Sequence, residues 1–372
     1  MVDNLTTAPY QKSSPCCAPN IDAIFRDGID PGSECMSQFF ADQIDQLDLA
    51  LDQLAMKDRN FDRFALMLID NVVELTLHQH AQDISTDAIM YPPDDGPRFP
   101  PANVAEALGP RFDGKVRLAR DAGLVSDDLA RTIKYLHGFR NTAYHRGARH
   151  EGILHALSAF YARVACQLMQ RYRPMFWPSS SADRISHRVV KYPGSSNLAW
   201  SPDTYKNAWQ RLADVAAQLG DTLIADLSAD MTATIDWANK RLVEMADYPT
   251  PVSKSLDQAV IDYQVWPTAF STLGEKYASE HGGPAPMSPD YIAWITQHFP
   301  WPQPTNPIPS WQKRLTALRN EKNAHAALQR YCEFMQQTET LRAQIDMAAD
   351  QLEAYIQMQV DNAYLEEQSR MP

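Results

Sequence analysis

The sequence predicts an all-α protein, because apolar residues recur at helical spacing in both halves and no segment alternates as a strand would. In the first half, one apolar stripe is formed at steps of three or four residues by Phe40, Ile44, Leu47, Leu51 and Leu54. In the second half, residues 310–371 contain neither glycine nor proline, which favours long helices.

The composition is typical of a folded, water-soluble chain. With 372 residues and 44% hydrophobic content, it is long enough for two compact domains. No basic segment followed by an apolar stretch opens the chain, and no apolar run approaches the roughly 18 residues of a membrane span, so we expect a cytoplasmic protein without membrane contact. The five cysteines include no Cys-x-x-Cys pair, which argues against a disulfide framework or a zinc site.

Four segments are predicted along the chain. Residues 1–34 are expected to form a flexible leader, 35–177 a helical bundle, 178–200 a linker rich in proline and serine, and 201–372 a helical C-terminal domain. The bundle has helices predicted near 37–55, 61–82, 126–147 and 150–172. The second is apolar nearly all round, so it should be the central helix. Residues 91–114 are predicted to be a proline-rich crossing that no helix can traverse.

The C-terminal domain has helices predicted near 203–246, 256–280 and 288–298, followed by one helix from Ser310 to Met371. Heptad spacing within that last helix is shown by Tyr331, Phe334, Thr338, Leu341, Ile345, Ala348, Leu352 and Tyr355. This pattern predicts coiled-coil character. The same chain, a second copy or another protein could supply the partner helix.

Positive charge is concentrated in one segment of this acidic chain, whose formal net charge is −12. Residues 131–191 contain eleven Lys or Arg against two acids, a net charge of +9 that leaves −21 elsewhere. An acidic surface repels phosphates, so any nucleic-acid site must be local to this segment. A solvated face with a loop is the alternative interpretation.

A short motif in the basic segment suggests catalysis. Arg140 and Asn141 are followed by Thr142, Ala143 and Tyr144 and then by His145, at the end of one predicted helix and before the next. This resembles the HEPN family of helical ribonucleases, whose motif is Arg, a polar residue, a short spacer and His. Glu74 lies on the preceding buried helix, where many members carry an acid. The resemblance covers roughly residues 35–177 and leaves 200–372 unexplained.

The spacing of Arg and His alone is not specific, because four pairs in the sequence fit it. The pair of Arg140 and His145 is preferred for its helical context, and we expect Gly138 and Gly147 to let the two side chains leave regular helical geometry and converge. A weaker second site is formed by Arg319, Asn320 and His325, for which a solvated helix surface is the alternative.

These residue types suit RNA cleavage through the 2′-hydroxyl, which needs a base, an acid and positive charge beside the phosphorane. His145 can transfer protons near neutral pH, and Arg140 can bind phosphate. Asn141 would orient the site. The RNA strand would be contacted by Lys134, Tyr144, Arg146 and Arg149, with Glu74 in support.

One histidine per chain cannot easily be both acid and base, and the resemblance also implies a homodimer that places two Arg–His pairs in one cleft. We therefore expect a metal-independent endoribonuclease without a cofactor, acting as a toxin or anti-phage defence effector, with RNA as substrate and an antitoxin or regulatory protein as partner. The alternative is a catalytically silent HEPN-like module that acts as a scaffold through its C-terminal helix. His78 and His80, two apart on a helix, make a poor metal pair.

Overall fold

The computed structural model describes residues 36–145, 151–177, 183–192, 201–247, 254–286 and 288–370. Every regular element in these ranges is an α-helix, which confirms the predicted all-α class. The predicted leader at 1–34 lies outside the described residues. Each described helix is too short or too polar to cross a lipid bilayer.

The first half of the chain contains six helices in the described ranges. They are α1 Met36–Ala55, α2 Arg59–Met90, α3 Pro101–Leu108, α4 Phe112–Asp121, α5 Asp127–His145 and α6 Glu151–Arg171. Helix α2 begins where the Asp58 carboxylate accepts a hydrogen bond from the backbone of Asn60 (2.9 Å), and α5 begins after Ser126, whose hydroxyl accepts from Leu129 (3.3 Å).

Helix α2 is central, as its sequence predicts. It packs against α1, α3, α4, α5 and α6, and it contributes fully buried residues such as Leu66, Ile69 and Val73 to the core. The side chains that α2 presents to α5 and α6 therefore lie in the middle of this half of the molecule.

No helix traverses residues 91–114, as predicted, but the segment does contain helical residues. Helix α3 lies wholly in this region and α4 starts in it. Proline is disfavoured inside a helix. At the first helical position, however, no hydrogen bond is lost with its missing N–H, and its fixed φ favours the start of a helix. Pro101 occupies that position in α3.

Nine more helices follow in the described residues. They are α7 His187–Val190, α8 Pro202–Ala217, α9 Leu223–Ala246, α10 Leu256–Ala269, α11 Thr272–Glu280, α12 Tyr291–His298, α13 Ile308–Arg319, α14 Ala324–Gln337 and α15 Glu339–Arg370. The predicted helix 203–246 is two helices, because Gly220 adopts φ +89° between them. The predicted helix 256–280 is also two, because Ser271 caps a new start at Thr272.

The prediction of a single helix from Ser310 to Met371 is also wrong. After Arg319, a Glu321 carboxylate oxygen accepts from the backbone of Lys322 (2.8 Å) and Asn323 (3.0 Å), which draws the chain out of helical geometry. The Asn323 side chain then caps α14. A second break falls at Thr338. A long terminal helix, α15, is nevertheless present and spans 32 residues.

The heptad seam packs mostly against the chain itself. Tyr331, Phe334 and Ile345 are fully buried, and α15 contacts α9, α10 and α14. The seam reaches the surface at its far end, since Tyr355 is 48% exposed.

Helices from both sides of the predicted linker share one hydrophobic core. Helix α6 packs on α8 and α9, and α5 packs on α14. Within the described part of the linker, Arg188 and Lys191 both pair with the buried carboxylate of Asp48 on α1 (2.9 and 2.7 Å). The division at 178–200 stays a prediction, and the packing is continuous across it.

Candidate active site around Asp70

The helix that carries the Arg–His motif is regular to its end. Helix α5 runs from Asp127 to His145, so Gly138 does not interrupt it, contrary to our expectation. Gly147 lies outside the described residues. On a regular helix, positions five apart differ by about 140° in direction, whereas positions three apart differ by about 60°. Arg140 therefore shares its face with His137 rather than with His145.

The buried Asp70 carboxylate on α2 is the centre of a polar cluster. Its side chain is 0% exposed, and it accepts a hydrogen bond from the Tyr161 hydroxyl (2.8 Å). His137 Nδ1 lies 3.0 Å from Oδ2, and Arg140 Nε lies 3.3 Å from the same oxygen. Burial, followed by the neighbouring carboxylate, raises the pKa of Tyr161 well above its ordinary value, so the phenol stays a neutral donor.

His137 and Arg140 reach solvent from this buried anchor. The His137 side chain is 17% exposed and that of Arg140 is 32% exposed. The imidazole stacks on Phe112 with the ring centroids 3.7 Å apart and the planes 4° from parallel. Arg140 Nη1 also donates to the Asn141 side chain (2.9 Å). A partly exposed imidazole and guanidinium are thus held side by side.

Glu74, predicted to support the site, lies in the same cluster. It is one helical turn from Asp70, and its carboxylate is 3.2 Å from the nearly buried Lys115 ammonium, which also donates to the Gly109 carbonyl (2.9 Å). One oxygen of each carboxylate and one ring nitrogen of His137 lie within 4.8 Å of one another.

These three atoms are close enough together to bind one metal ion, but the charges of the neighbouring side chains argue against a metal site. Asp70 and Glu74 are already balanced by Arg140 and Lys115. A divalent cation would add two uncompensated positive charges to a partly buried site, which is costly. The cluster is better suited to binding an anion and moving a proton than to holding a metal.

The remaining predicted RNA contacts are only partly within the described structure. Lys134 is exposed and lies 3.0 Å from Asp113 on α4. Arg146 and Arg149 lie outside the described residues. The backbone of Tyr144 and His145 belongs to α5, but their side chains lie outside the described part of the structure.

Much of the positive charge of residues 131–191 is paired within the protein. Arg163 contacts Asp221 (2.9 Å), Arg131 contacts Asp128 (3.3 Å), and Arg188 and Lys191 contact Asp48. Acidic residues of the same chain therefore neutralise much of the positive charge of this segment. That charge contributes to ion pairs within the fold and is not available only for a ligand.

Two residues of the weaker second motif contact different helices. Arg319 Nη2 donates to the Thr232 hydroxyl on α9 (2.9 Å), whereas His325 Nδ1 lies 2.8 Å from the Thr132 hydroxyl on α5. Asn320 ends α13. Because these side chains bond to different helices, the structure assigns Arg319 and His325 to helix packing.

A groove of about 890 Å³ lies along the other side of α5. It is lined by Gly138 and Thr142 of α5, and its charged walls are Asp230, Glu339 and Asp346 against a single Arg342. An excess of acids repels phosphate. This groove is therefore a poor RNA cleft, and the Asp70 side of the helix is the better candidate.

Sequence reasoning missed Asp70 and His137. Arg131 and His137 are one of the four pairs that fit the Arg–His spacing, but the predicted helical context favours Arg140 and His145. Asp70 lies four residues before Glu74, which places both carboxylates on one face of α2. Two acids one turn apart on an otherwise apolar helix were the available signal.

Comparison of the chain with protein-family models, with curated proteins and with solved structures gave no match.

Proposed function

We propose that the protein is a metal-independent endoribonuclease of the HEPN type, a toxin or anti-phage defence effector acting on RNA in the cytoplasm. The observation that carries the proposal is the placement of Arg140, whose guanidinium is anchored to the buried Asp70 carboxylate and remains about one-third exposed. An arginine fixed in this way can meet a phosphate without first losing its side-chain freedom.

The proposed chemistry uses the RNA's own nucleophile. A base removes the proton of the 2′-hydroxyl, the oxygen attacks the adjacent phosphorus, and the bond to the 5′-oxygen breaks as an acid protonates it. Arg140 stabilises the negative charge that develops on the phosphorane, and Asn141 orients the guanidinium through its 2.9 Å contact. His145 is one proton-transfer group. The products are a 2′,3′-cyclic phosphate and a 5′-hydroxyl.

Homodimerisation belongs to the same proposal. Positions 140 and 145 differ by about 140° in direction on one regular helix, which does not favour convergence of the two residues of one copy on one phosphate. A two-fold pairing can bring the Arg140 of one protomer towards the His145 of its partner. An antitoxin or other regulatory protein would restrain such an enzyme.

The test compares cleavage of total RNA by the wild-type chain, Arg140→Ala and His145→Ala, each with and without EDTA. Arg131→Ala is the matched control, because Arg131 is a partly exposed arginine on the same helix that contacts Asp128 and Gln329 instead of Asp70. We expect wild type and control to cut equally with or without EDTA, and both motif variants to lose at least about 100-fold. Equal cutting by all four proteins, or loss of all cutting in EDTA, contradicts the proposal.

A second function, that of a binding scaffold, is favoured by the end of α15. Exposed apolar side chains of this helix include Ile356, Met358, Val360, Tyr364 and Leu365. Such a surface is typical of helices that pack against a partner. A scaffold would bind through this helix and show no turnover.

A further inference from the structure

The Asp70 cluster contains an imidazole that the Arg–His motif does not include. His137 lies one turn before Arg140 on α5, and both contact the same carboxylate oxygen of Asp70, at 3.0 and 3.3 Å. They also differ by only about 60° in direction, against about 140° for Arg140 and His145. Within one protomer, His137 is therefore the histidine whose geometry suits cooperation with Arg140.

The surroundings of His137 fix both its orientation and its tautomer. A carboxylate can only accept hydrogen bonds, so the contact with Asp70 places the proton of a neutral imidazole on Nδ1. Phe112 stacks against one ring face and stops rotation. The lone pair then resides on Nε2, for which the described residues provide no hydrogen-bond partner. A histidine held by a buried acid in this way is suited to accept a proton.

The alternative role for such a histidine is purely structural, and the chain contains a pair for comparison. His155 Nδ1 lies 2.8 Å from Asp62, so it has the same type of carboxylate contact. What distinguishes His137 is the guanidinium beside it. Among the described residues, Arg140 contacts the carboxylate of Asp70 together with His137, whereas no arginine contacts the carboxylate of Asp62 beside His155.

We propose that His137 is the general base of the ribonuclease site, that Asp70 is its positioning residue, and that Arg140 of the same protomer binds the phosphate being attacked. This inference rests on the proposed function. Nε2 of His137 accepts the 2′-hydroxyl proton, the 2′-oxygen forms a bond to phosphorus, and the bond from phosphorus to the 5′-oxygen breaks. The leaving 5′-oxygen takes its proton from the imidazolium of His145 of the second protomer. Base and acid are then two different histidines, and each turnover leaves one proton to be returned from His137 to His145 through solvent.

The substrate class follows from the same geometry. The reaction needs a 2′-hydroxyl beside the scissile phosphate, so the site accepts RNA and rejects DNA. The groups of the cluster that reach solvent are the imidazole of His137 and the guanidinium of Arg140, and the guanidinium is the group that can bind a phosphodiester.

The experiment is the pH profile of kcat/KM for a short RNA in EDTA, measured for wild type, His137→Ala, Asp70→Asn, His145→Ala and the control His155→Asn. A general base makes the rate fall on acidification as it becomes protonated. We expect His137→Ala to lose about 100- to 10,000-fold, with that acidic limb abolished and partly restored by added imidazole. His145→Ala should keep the acidic limb and lose the alkaline one. His155→Asn should stay within about twofold of wild type.

Asp70→Asn supplies a readout that a structural role would not move. An amide no longer fixes the proton on Nδ1 of the imidazole, so the acidic limb should move from its wild-type position, and KM should rise because Asp70 also holds the Arg140 guanidinium that binds the phosphate. If His137→Ala fails to fold, His137→Gln keeps a polar side chain of similar size that cannot act as a base. It should show the same loss of the acidic limb.

The outcomes separate this inference from the proposed function. If Arg140→Ala and His145→Ala are inactive but His137→Ala and His137→Gln keep the wild-type acidic limb, His137 is not the base and the ribonuclease proposal stands. If the wild-type chain cuts no RNA, both are overturned.

Discussion

At the scale of single residues, burial decides how the protein responds to acid. His80 on α2 packs edge-on against Tyr172 with ring centroids 6.1 Å apart, and burial lowers its pKa to about 4. An unfolded histidine titrates near 6.5. Between these two values the unfolded chain binds a proton that the folded chain does not. The free energy of unfolding should therefore fall on acidification from pH 6.5 to 4, by up to about 3 kcal/mol.

His80→Gln removes this titration, and urea unfolding at pH 6.5 and 4 measures the change. We expect the variant to lose less stability than wild type over this interval, by an amount approaching the full effect. The control is His187→Gln, since His187 is exposed. If His80→Gln loses as much stability as wild type between pH 6.5 and 4, then His80 titrates alike in the folded and unfolded states.

Also at the residue scale, the sequence identified part of the candidate site. Arg140, Asn141 and Glu74 were found from their motif and helix position, and the structure places all three in or beside the Asp70 cluster. His137 and Asp70 are 67 positions apart. Their contact depends on how α2 and α5 pack, and spacing along the chain contains no information about that.

At the scale of elements, helix starts were easier to predict than helix ends. The start predicted near 126 is confirmed by the Ser126 cap of α5, and the start predicted near 61 lies two residues after the observed one, which Asp58 caps. The break after Arg319 is instead made by Glu321 and Asn323, whose side chains bind backbone N–H groups without any glycine or proline. Such competing hydrogen bonds occur with residues that are also common inside helices, so composition did not reveal them.

The end of α15 yields a prediction about that element. Ending the chain after Tyr355 removes residues whose described side chains are exposed, so the free energy of unfolding should change by less than about 1 kcal/mol. Ile345→Ala on the same helix is the contrasting variant, because Ile345 is fully buried, and it should cost about 2–5 kcal/mol. Urea unfolding measures both. If the truncated chain is less stable than wild type, or if light scattering shows that its mass is halved, the removed residues pack in an interface.

At the scale of the whole molecule, the continuous core predicts cooperative unfolding. Helix α6 packs on α8, where Trp209 is fully buried, and residues from both halves share one hydrophobic cluster. Calorimetry should show one transition with a calorimetric enthalpy close to the van't Hoff value. Trp209→Ala should lower its midpoint without splitting it. Two separated transitions, only one of which responds to Trp209→Ala, would establish independent domains on either side of 178–200.

The charge of the whole molecule frames the functional proposal. An acidic chain whose basic segment is largely paired with its own acids gains little RNA affinity from general electrostatics. Recognition must then come from a few fixed groups, and the Asp70 cluster supplies a guanidinium and an imidazole that lie 3.3 and 3.0 Å from one carboxylate oxygen.

The most direct test of that account is cleavage in EDTA of one RNA oligonucleotide and of its fully 2′-O-methylated copy, by wild type and by Arg140→Ala. We expect wild type to cut only the unmodified RNA and to leave a 2′,3′-cyclic phosphate, and Arg140→Ala to cut neither. Cutting of the methylated strand, or equal cutting of RNA by both proteins, would contradict it.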